Sequence, residues 1–432
     1  TAYLYAKDYA ESQITVNNAE IQRIASAITG VKRTTGQHPG GLMIVPRDRD
    51  IFEFTPIQYP ANDSSANQKT THFDYPVIHD DLIKLDALGH DDPTFIRKLY
   101  EITGIDPQTV PMDDKQTMEI FSSCRPLKVD LKKELDTSIG ALGIPEFGTT
   151  FVRRMLEDTK PSSFSDLIRI SGLSHGTDVW AGNAQVYIKT KQATLSEVIA
   201  CRDDIMISLI QKGVDNKTAF KIMEKVRKGK GIDENDESIL KKFNMPQWFL
   251  SSCKSIKYLF PKAHAAAYVS MAFRIAYFKV HHPLAFYATF FSVKGDEFNL
   301  AVVLKGKEAM RSRITFIRSQ EQDPKKKNEA VVLELAIEMV LRGFSFLTVD
   351  LYKSDSFNFT LEGQSLRVPF IAIPNLGQKA VEKIVAARKD GEFRSIEDLV
   401  QRTSINKTNV ETLKEMGVLK GMPDSNQMGL FG

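Results

Sequence analysis

The sequence predicts an α+β protein of several domains whose middle is large and mostly helical. Three observations lead there. A short apolar run, GLMIV, follows a turn rich in glycine and proline, as a strand would. From 191 to 290, apolar residues recur three and four positions apart, the spacing of a helix face. Beyond 345, the alternation in SFLTVDLYKSDSFNFTLEGQSLRV marks a small β element ahead of a compact helical unit at 370–420. A chain of 432 residues has room for about two to four such units.

In chain order, residues 9–30 read as one helix closed by Gly30. GLMIV follows as a strand, and PIQYPANDSSANQKT as a polar loop. THFDYPVIHDDLIKLDALGH mixes strand signals with turns, and 93–160 reads as helices broken by proline and glycine. Helical spacing is clearest in LSEVIACRDDIMISLIQKG, in NKTAFKIMEKVRKGKG and from SCKSIKYLF through FYATFFSV. DPKKKNEA reads as a solvated linker, Gly363 as a hairpin turn and GMPDSNQMGLFG as a mobile tail.

Composition narrows the class. The chain is 42% hydrophobic and 26% charged, with ordinary soluble globular balance. Its 57 basic and 54 acidic residues leave a net charge of +3, so any nucleic-acid surface must be local. Cys124, Cys201 and Cys253 form no CxxC pair, which favours a reducing compartment. No apolar run reaches membrane-spanning length; AHAAAYVSMAFRIAYFKV carries Arg274 and reads as a buried helix. The opening TAYLYAKDYAES has neither an initiator methionine nor a signal pattern and reads as the interior of a longer polypeptide.

Several stretches could carry chemistry. In IKLDAL, Asp86 is either a solvated carboxylate at a strand end or one ligand of a divalent-cation site. Asp48 and Asp50 in PRDRD read as a surface turn. In TTGQHPGG, Gly36, Gly40 and Gly41 permit close backbone approach, and Gln37 and His38 add donors; this is a phosphate contact or an ordinary turn. SGLSHGTDVW groups Ser174, His175, Thr177 and Asp178 without a nucleophile elbow, so a hydrogen-bonded loop over Trp180 is the plainer reading.

Arg202 and the cluster Lys221, Lys225, Arg227, Lys228 and Lys230 either attract phosphates or finish helix ends. In FPKAHAAAY, His264 and Tyr268 are one turn apart on a helix, with Lys262 just ahead. They form a nucleotide-facing patch, or the alanines simply allow close helix packing. FIAIPNLGQKAVEKIVAARKDG has a helix-hairpin-helix pattern. Ile373, Pro374, Asn375, Leu376 and Gly377 would expose backbone N–H groups to a DNA phosphate. In the tail, Gln427, Met428, Leu430 and Phe431 could anchor in a partner's groove.

Eleven stretches, TTGQHPGG, THFDYPVIHDDLIKLDALGHDDP, IPEFGT, SGLSHGTDVW, NAQ, CRDDIM, KIMEKVRKGKG, FPKAHAAAYV, RIAYFKVHHPL, GFSF and GEFRSIEDL, together resemble the C-terminal part of PolC-type DNA polymerase III alpha subunits of Gram-positive bacteria. The resemblance covers nearly the whole chain. It implies a partial polymerase-β-like palm at 1–125, mostly helical fingers at 126–335, a small β element with a helix-hairpin-helix at 336–420 and a clamp-binding tail at 421–432. Asp86 aligns with the third of the family's metal-binding aspartates. The first two belong to a DxD pair that this sequence does not contain, and Asp48 and Asp50 do not match it. The family's exonuclease, PHP and OB regions are not in this sequence either.

The resemblance further implies two Mg²⁺ ions, with Asp86 as catalytic and metal-binding residue. Gly36, Gln37, His38, Arg202, Arg227, Lys262, His264 and Tyr268 would bind dNTP. Lys228, Lys230 and Ile373 to Gly377 would bind DNA, and Gln427, Met428, Leu430 and Phe431 the sliding clamp. The implied activity is template-directed DNA synthesis in the cytoplasm, at the nucleoid, with primer-template DNA, dNTP, the clamp and other replisome subunits as partners. A DNA-, dNTP- and clamp-binding segment without activity of its own is the alternative, and a nucleotide hydrolase built on SHGTD a second.

Overall fold

Asn17 divides what its sequence spacing presents as one helix. Its side chain accepts the N–H of Glu20 at 3.0 Å and so caps α2 (Asn18–Ile28), separating it from α1 (Ala2–Ser12). The expected single helix at 9–30 is therefore two, because an asparagine that caps a new helix start competes with continuing the old one. Ala6, Ala10 and Ile21 bury the contact between them. The computed structural model describes residues 2–12, 17–31, 36–38, 40–87, 89–320 and 323–426. Its contacts divide the chain into two units, Thr1–His90 and Asp91–Gly432.

In the first unit the strand expected from GLMIV forms. The strands are β1 (Gly41–Ile44), β2 (Ile57–Gln58), β3 (Thr70–Thr71) and β4 (Ile83–Asp86). β1 pairs antiparallel with β4, and β2 with β3. The second ribbon lies within the stretch expected to be a polar loop. It is two residues a side, too short to leave an alternating pattern. A one-turn helix, α3 (Tyr75–Ile78), leads towards β4 and buries Ile78.

The second unit is built on helices. Those used below are α4 (Asp91–Thr103), α5 (Phe164–His175), α6 (Arg202–Gln211), α7 (Asn216–Arg227), α8 (Lys262–His281), α9 (Pro283–Val293), α10 (Lys307–Gln320) and α11 (Pro324–Leu341). Around α8 and α9 an aromatic core closes: Phe121, Phe147, Phe273, Phe278, Phe286 and Phe291 are all fully buried. Each such ring contributes about 2–3 kcal/mol of burial. DPKKKNEA, expected as a linker, instead opens α11. Proline fits the first helical turn, and the run that follows holds strong helix formers with no further proline or glycine. The length and burial of α11 come from its later turns, where Leu333, Leu335, Ala336, Ile337 and Met339 enter the core.

After α11, β5 (Ser345–Leu347), β6 (Thr360–Glu362) and β7 (Ser365–Arg367) make a three-stranded sheet in the order β5-β7-β6. Gly363 turns the β6–β7 hairpin with φ +62°, which a side chain would strain. Three helices follow, α12 (Gln378–Ala387), α13 (Ile396–Thr403) and α14 (Lys407–Glu415). Among the described residues no helix is long and apolar enough to cross a membrane. The three cysteines are buried and free.

Candidate nucleotide and nucleic-acid interfaces

Asp86 closes β4 directly opposite Gly41. Paired residues across a ribbon share a face. Gly41, Met43, Lys84 and Asp86 thus face one way, and the exposed Leu42, Ile44, Ile83 and Leu85 the other. Lys84 Nζ stands 3.1 Å from Asp86 Oδ1 and 5.1 Å from the Tyr75 ring centroid. A Cβ on Gly41 would come within 3.0 Å of His38 Nδ1 and 3.4 Å of Asp86 Oδ1. Glycine therefore lets an imidazole and a carboxylate crowd one stretch of backbone.

His38 Nδ1 accepts the N–H of Gly40 at 3.2 Å. Gln37 Nε2 donates to Gln68 Oε1 at 2.6 Å. Gly36, Gln37 and His38 line a cleft of about 850 Å³ with Lys69, Tyr75 and Lys84. Asp50, as expected of a surface turn, caps the turn Ile51–Glu53.

Among the described residues no three His, Cys, Asp or Glu side chains gather as metal ligands. Asp86 offers the hard oxygen that Mg²⁺ prefers. One carboxylate is not a cradle for two cations, so the residues present do not by themselves build the implied two-magnesium site.

In the second unit, Phe260 is a meeting point. Its carbonyl accepts the N–H of Arg202 at 3.1 Å. Its ring stacks on His175 at 4.9 Å and meets His264 edge-on at 4.8 Å; His264 lies 4.4 Å from Tyr268. Lys262 begins α8. Its N–H donates to Asp203 Oδ2 at 2.8 Å, and its Nζ lies 3.5 Å from Asp204 Oδ1. Arg202, Lys262, His264 and Tyr268 are thus gathered, with His264 exposed and the other three half-buried.

Arg227 ends α7. Its Nε and Nη2 donate to Glu224 at 2.7 and 2.8 Å, and Lys228 Nζ reaches the same carboxylate at 3.2 Å. The Arg227 guanidinium holds Glu224 down at about 2. Gly229 brings this end of α7 against the 257–260 segment: a Cβ there would come within 2.5 Å of the Lys257 carbonyl. Lys230 is exposed.

Sequence reasoning passed over the acids of this region. Asp204 is buried, caps α6 by accepting the N–H groups of Ala200 and Cys201, and lies 3.5 Å from Arg169. Its place three residues after Cys201 is the signal for a capping acid. His175 pairs at 3.2 Å with Glu146, far away in sequence, rather than with Asp178. The Ser174 hydroxyl donates to the Ser171 carbonyl at 2.8 Å, so SHGTD behaves as a hydrogen-bonded helix end over the buried Trp180.

At the hairpin, Ile373 and Leu376 are buried anchors, and Pro374, Asn375 and Gly377 are exposed. Asn375 takes φ +62°. Gly377 caps α12 at φ −70°, a conformation open to any residue, and a Cβ there would meet nothing within 4 Å. Among the described residues nothing accepts from the N–H groups of Gly377, Gln378 and Lys379. Unpaired amides at a helix start attract anions. The expected clamp anchors Gln427, Met428, Leu430 and Phe431 lie outside the described residues.

Comparison with known proteins places most of both units in described families. Residues 92–245 match the bacterial DNA polymerase III alpha subunit finger domain, residues 3–89 the bacterial DNA polymerase III alpha NTPase domain, and residues 343–428 a helix-hairpin-helix motif. The chain belongs with the bacterial DNA polymerase III alpha subunits.

Within that class it belongs to the PolC type, matching its C-terminal part. It is 58% identical over 429 residues to the DNA polymerase III PolC-type of Thermotoga maritima, covering 99% of this chain and 31% of that protein. It is 55% identical over 434 residues to that of Bacillus cereus and 54% to that of Bacillus subtilis, covering 100% of this chain and 30% of each. The chain spans about 30% of the length of the curated relatives it matches.

Proposed function

We propose that this chain is the nucleotide- and DNA-handling portion of a replicative polymerase that transfers dNMP from dNTP to a primer 3′-OH. The match of 58% identity along 99% of the chain to a PolC-type polymerase carries the reading. On this reading the first unit is the end of a palm. Fingers begin between 90 and 125 and run to about 335, followed by the β element with its DNA-binding hairpin and a clamp-binding tail. The primer oxygen attacks the α-phosphate, a new P–O bond forms, and pyrophosphate leaves with the electrons of the broken bond.

Arg202, Arg227 and Lys262 would neutralise the triphosphate, with Asp203 and Asp204 placing Lys262 and Glu224 holding Arg227 ready. His264 and Tyr268 offer a flat surface for the nascent base pair. Gly36, Gln37 and His38 line the cleft of the first unit for the nucleotide. Asp86 would give one carboxylate to a magnesium site that the residues present do not complete. Lys228, Lys230 and the 373–377 hairpin would meet DNA phosphates. Gln427, Met428, Leu430 and Phe431 would bind the sliding clamp, raising the effective concentration at the primer end. The place of work is the cytoplasm, at the replisome.

In the whole polymerase, Asp86→Ala should abolish primer extension while primer-template binding persists; extension at the parental rate would overturn the catalytic role. The lone carboxylate favours a second reading for the chain by itself: it binds DNA, dNTP and clamp without polymerising. Primer extension by the 432-residue chain with Mg²⁺ tests that directly, and product formation would reject it.

A further inference from the structure

α4 packs against α8 and against the turn that follows it. Where they meet, a cavity of about 490 Å³ is lined by Ile96, Tyr100, Asp106, Pro107, Met271 and Arg274 among others. Arg274 Nε is closed to solvent and has no hydrogen-bond partner, and among the described residues no carboxylate pairs with its guanidinium. Arg274 is half-buried as a residue, but leaving this Nε–H closed off without an acceptor is costly, and an incoming anion would satisfy it.

The surroundings select the anion. Tyr100 is 52% exposed and presents a ring, while Ile96, Pro107 and Met271 give the cavity apolar walls. Arg97 is exposed at the rim but bonded to Glu101 at 2.7 Å, and Asp106 turns one oxygen to the N–H of Gln108 at 2.8 Å. Arg274 thus stands without an ion-pair partner among the described residues beside a flat, accessible ring, with the Asp106 carboxylate also on the lining. That pairing suits a phosphodiester with a base attached better than a bare triphosphate, which needs several cations. Tyr268, Met271 and Arg274 follow each other by three residues along α8, so the cavity continues the side of the helix that carries the His264–Tyr268 pair.

We propose that this cavity is a subsite for single-stranded nucleic acid, in which Arg274 takes a backbone phosphate and Tyr100 stacks a base. The proposal rests on the polymerase reading above and adds to it where an unpaired strand is held.

The test is fluorescence anisotropy on the 432-residue chain. The probes are an oligothymidylate of about twelve nucleotides, within the usual range for such surfaces, a blunt-ended duplex and a labelled dNTP. Arg274→Gln should weaken oligothymidylate binding about five- to tenfold and reduce the slope of log K against log salt by about 0.7. Tyr100→Ala should weaken it about fivefold or more with no change in slope. Duplex and dNTP affinities should stay within about twofold of the parent, since neither probe offers the cavity an unpaired base with its phosphate.

Unchanged oligothymidylate affinity in both variants, with duplex binding intact, overturns the subsite and leaves the polymerase reading standing. A parent chain that binds neither duplex nor oligothymidylate sinks both. Loss confined to dNTP makes the cavity a triphosphate site and overturns the proposal as well. Circular dichroism checks folding; if Arg274→Gln unfolds, Tyr100→Ala, altered at a half-exposed ring, decides alone.

Discussion

Asp86 and Lys84 face the same way from one strand, carboxylate to ammonium 3.1 Å apart, with His38 crowding the backbone opposite. The pair is partly exposed, worth at most about 1 kcal/mol, so it orients the carboxylate more than it stabilises the fold. The room for His38 depends on Gly41. Gly41→Ala would push the imidazole by a few tenths of an ångström at least. In the whole polymerase we expect kcat/KM for dNTP to fall about tenfold or more, as small misplacements at reacting groups do. Steady-state primer extension measures it, and parental kinetics would detach this turn from the site.

Glu224 competes for Arg227 with any phosphate. Glu224→Gln leaves the guanidinium unpaired, so dNTP affinity should rise about two- to fivefold if Arg227 binds triphosphate, by the worth of a partly exposed pair. Titration of the labelled nucleotide reads this. The same variant changes acid stability. Held at about 2 in the folded chain against 4.5 ordinarily, Glu224 adds stability that is fully present above pH about 4.5 and is lost as pH falls towards 2. Melts of parent and variant should therefore converge at low pH.

Gly377→Ala separates folding from binding. The φ of −70° and the empty space around the position tolerate a methyl group, so stability should drop by less than about 1 kcal/mol. The methyl group would stand where a phosphate reaches the amides. Duplex affinity should fall about fivefold or more, as expected when a contact to a backbone donor is lost. Chemical denaturation paired with duplex anisotropy tests it; equal losses in both would make the glycine merely structural.

Deep in the second unit, Lys279 donates to Glu338 at 2.9 Å and to the Gly140 carbonyl at 2.8 Å, while Tyr287 donates to Glu338 at 2.7 Å. Both charged side chains are fully buried. Lys279→Met should cost about 3–5 kcal/mol, the usual penalty for stranding a buried charge. Burial, opposed by Glu338, lowers the Lys279 ammonium from 10.5 to about 8. Between those values the unfolded chain binds the proton more tightly than the folded one. The parent should therefore gain stability relative to Lys279→Met as pH rises from 8 to 10.5, by about 1–3 kcal/mol. Denaturant melts across that range check the sign.

Burial pushes the Cys124 thiol up to about 11, that of Cys201 to about 12, and that of Cys253 higher still. Thiolate, not thiol, attacks alkylating reagents. At pH 8 the folded chain should resist iodoacetamide, with all three cysteines labelling only on denaturation. Mass spectrometry reads the count, and rapid labelling of the native chain would contradict the burial.

Sequence by itself determined the helical middle, the β1 strand, the Gly363 hairpin and the family. Each is written locally, as an apolar repeat at helix spacing, a turn residue at a fixed place or an uninterrupted motif. It also put His264 one turn from Tyr268 on one helix, which the structure keeps. Tertiary structure alone decided who holds the charges. Glu146 reaches His175, Asp204 reaches Lys262 and Glu338 reaches Lys279 across separations that carry no periodic signal, because a carboxylate's partner is set by packing and desolvation rather than by spacing. The same holds for α11, whose lysine-rich start looks solvated until its later turns are buried. It holds for Arg274, whose missing partner becomes visible only when α4 closes over α8.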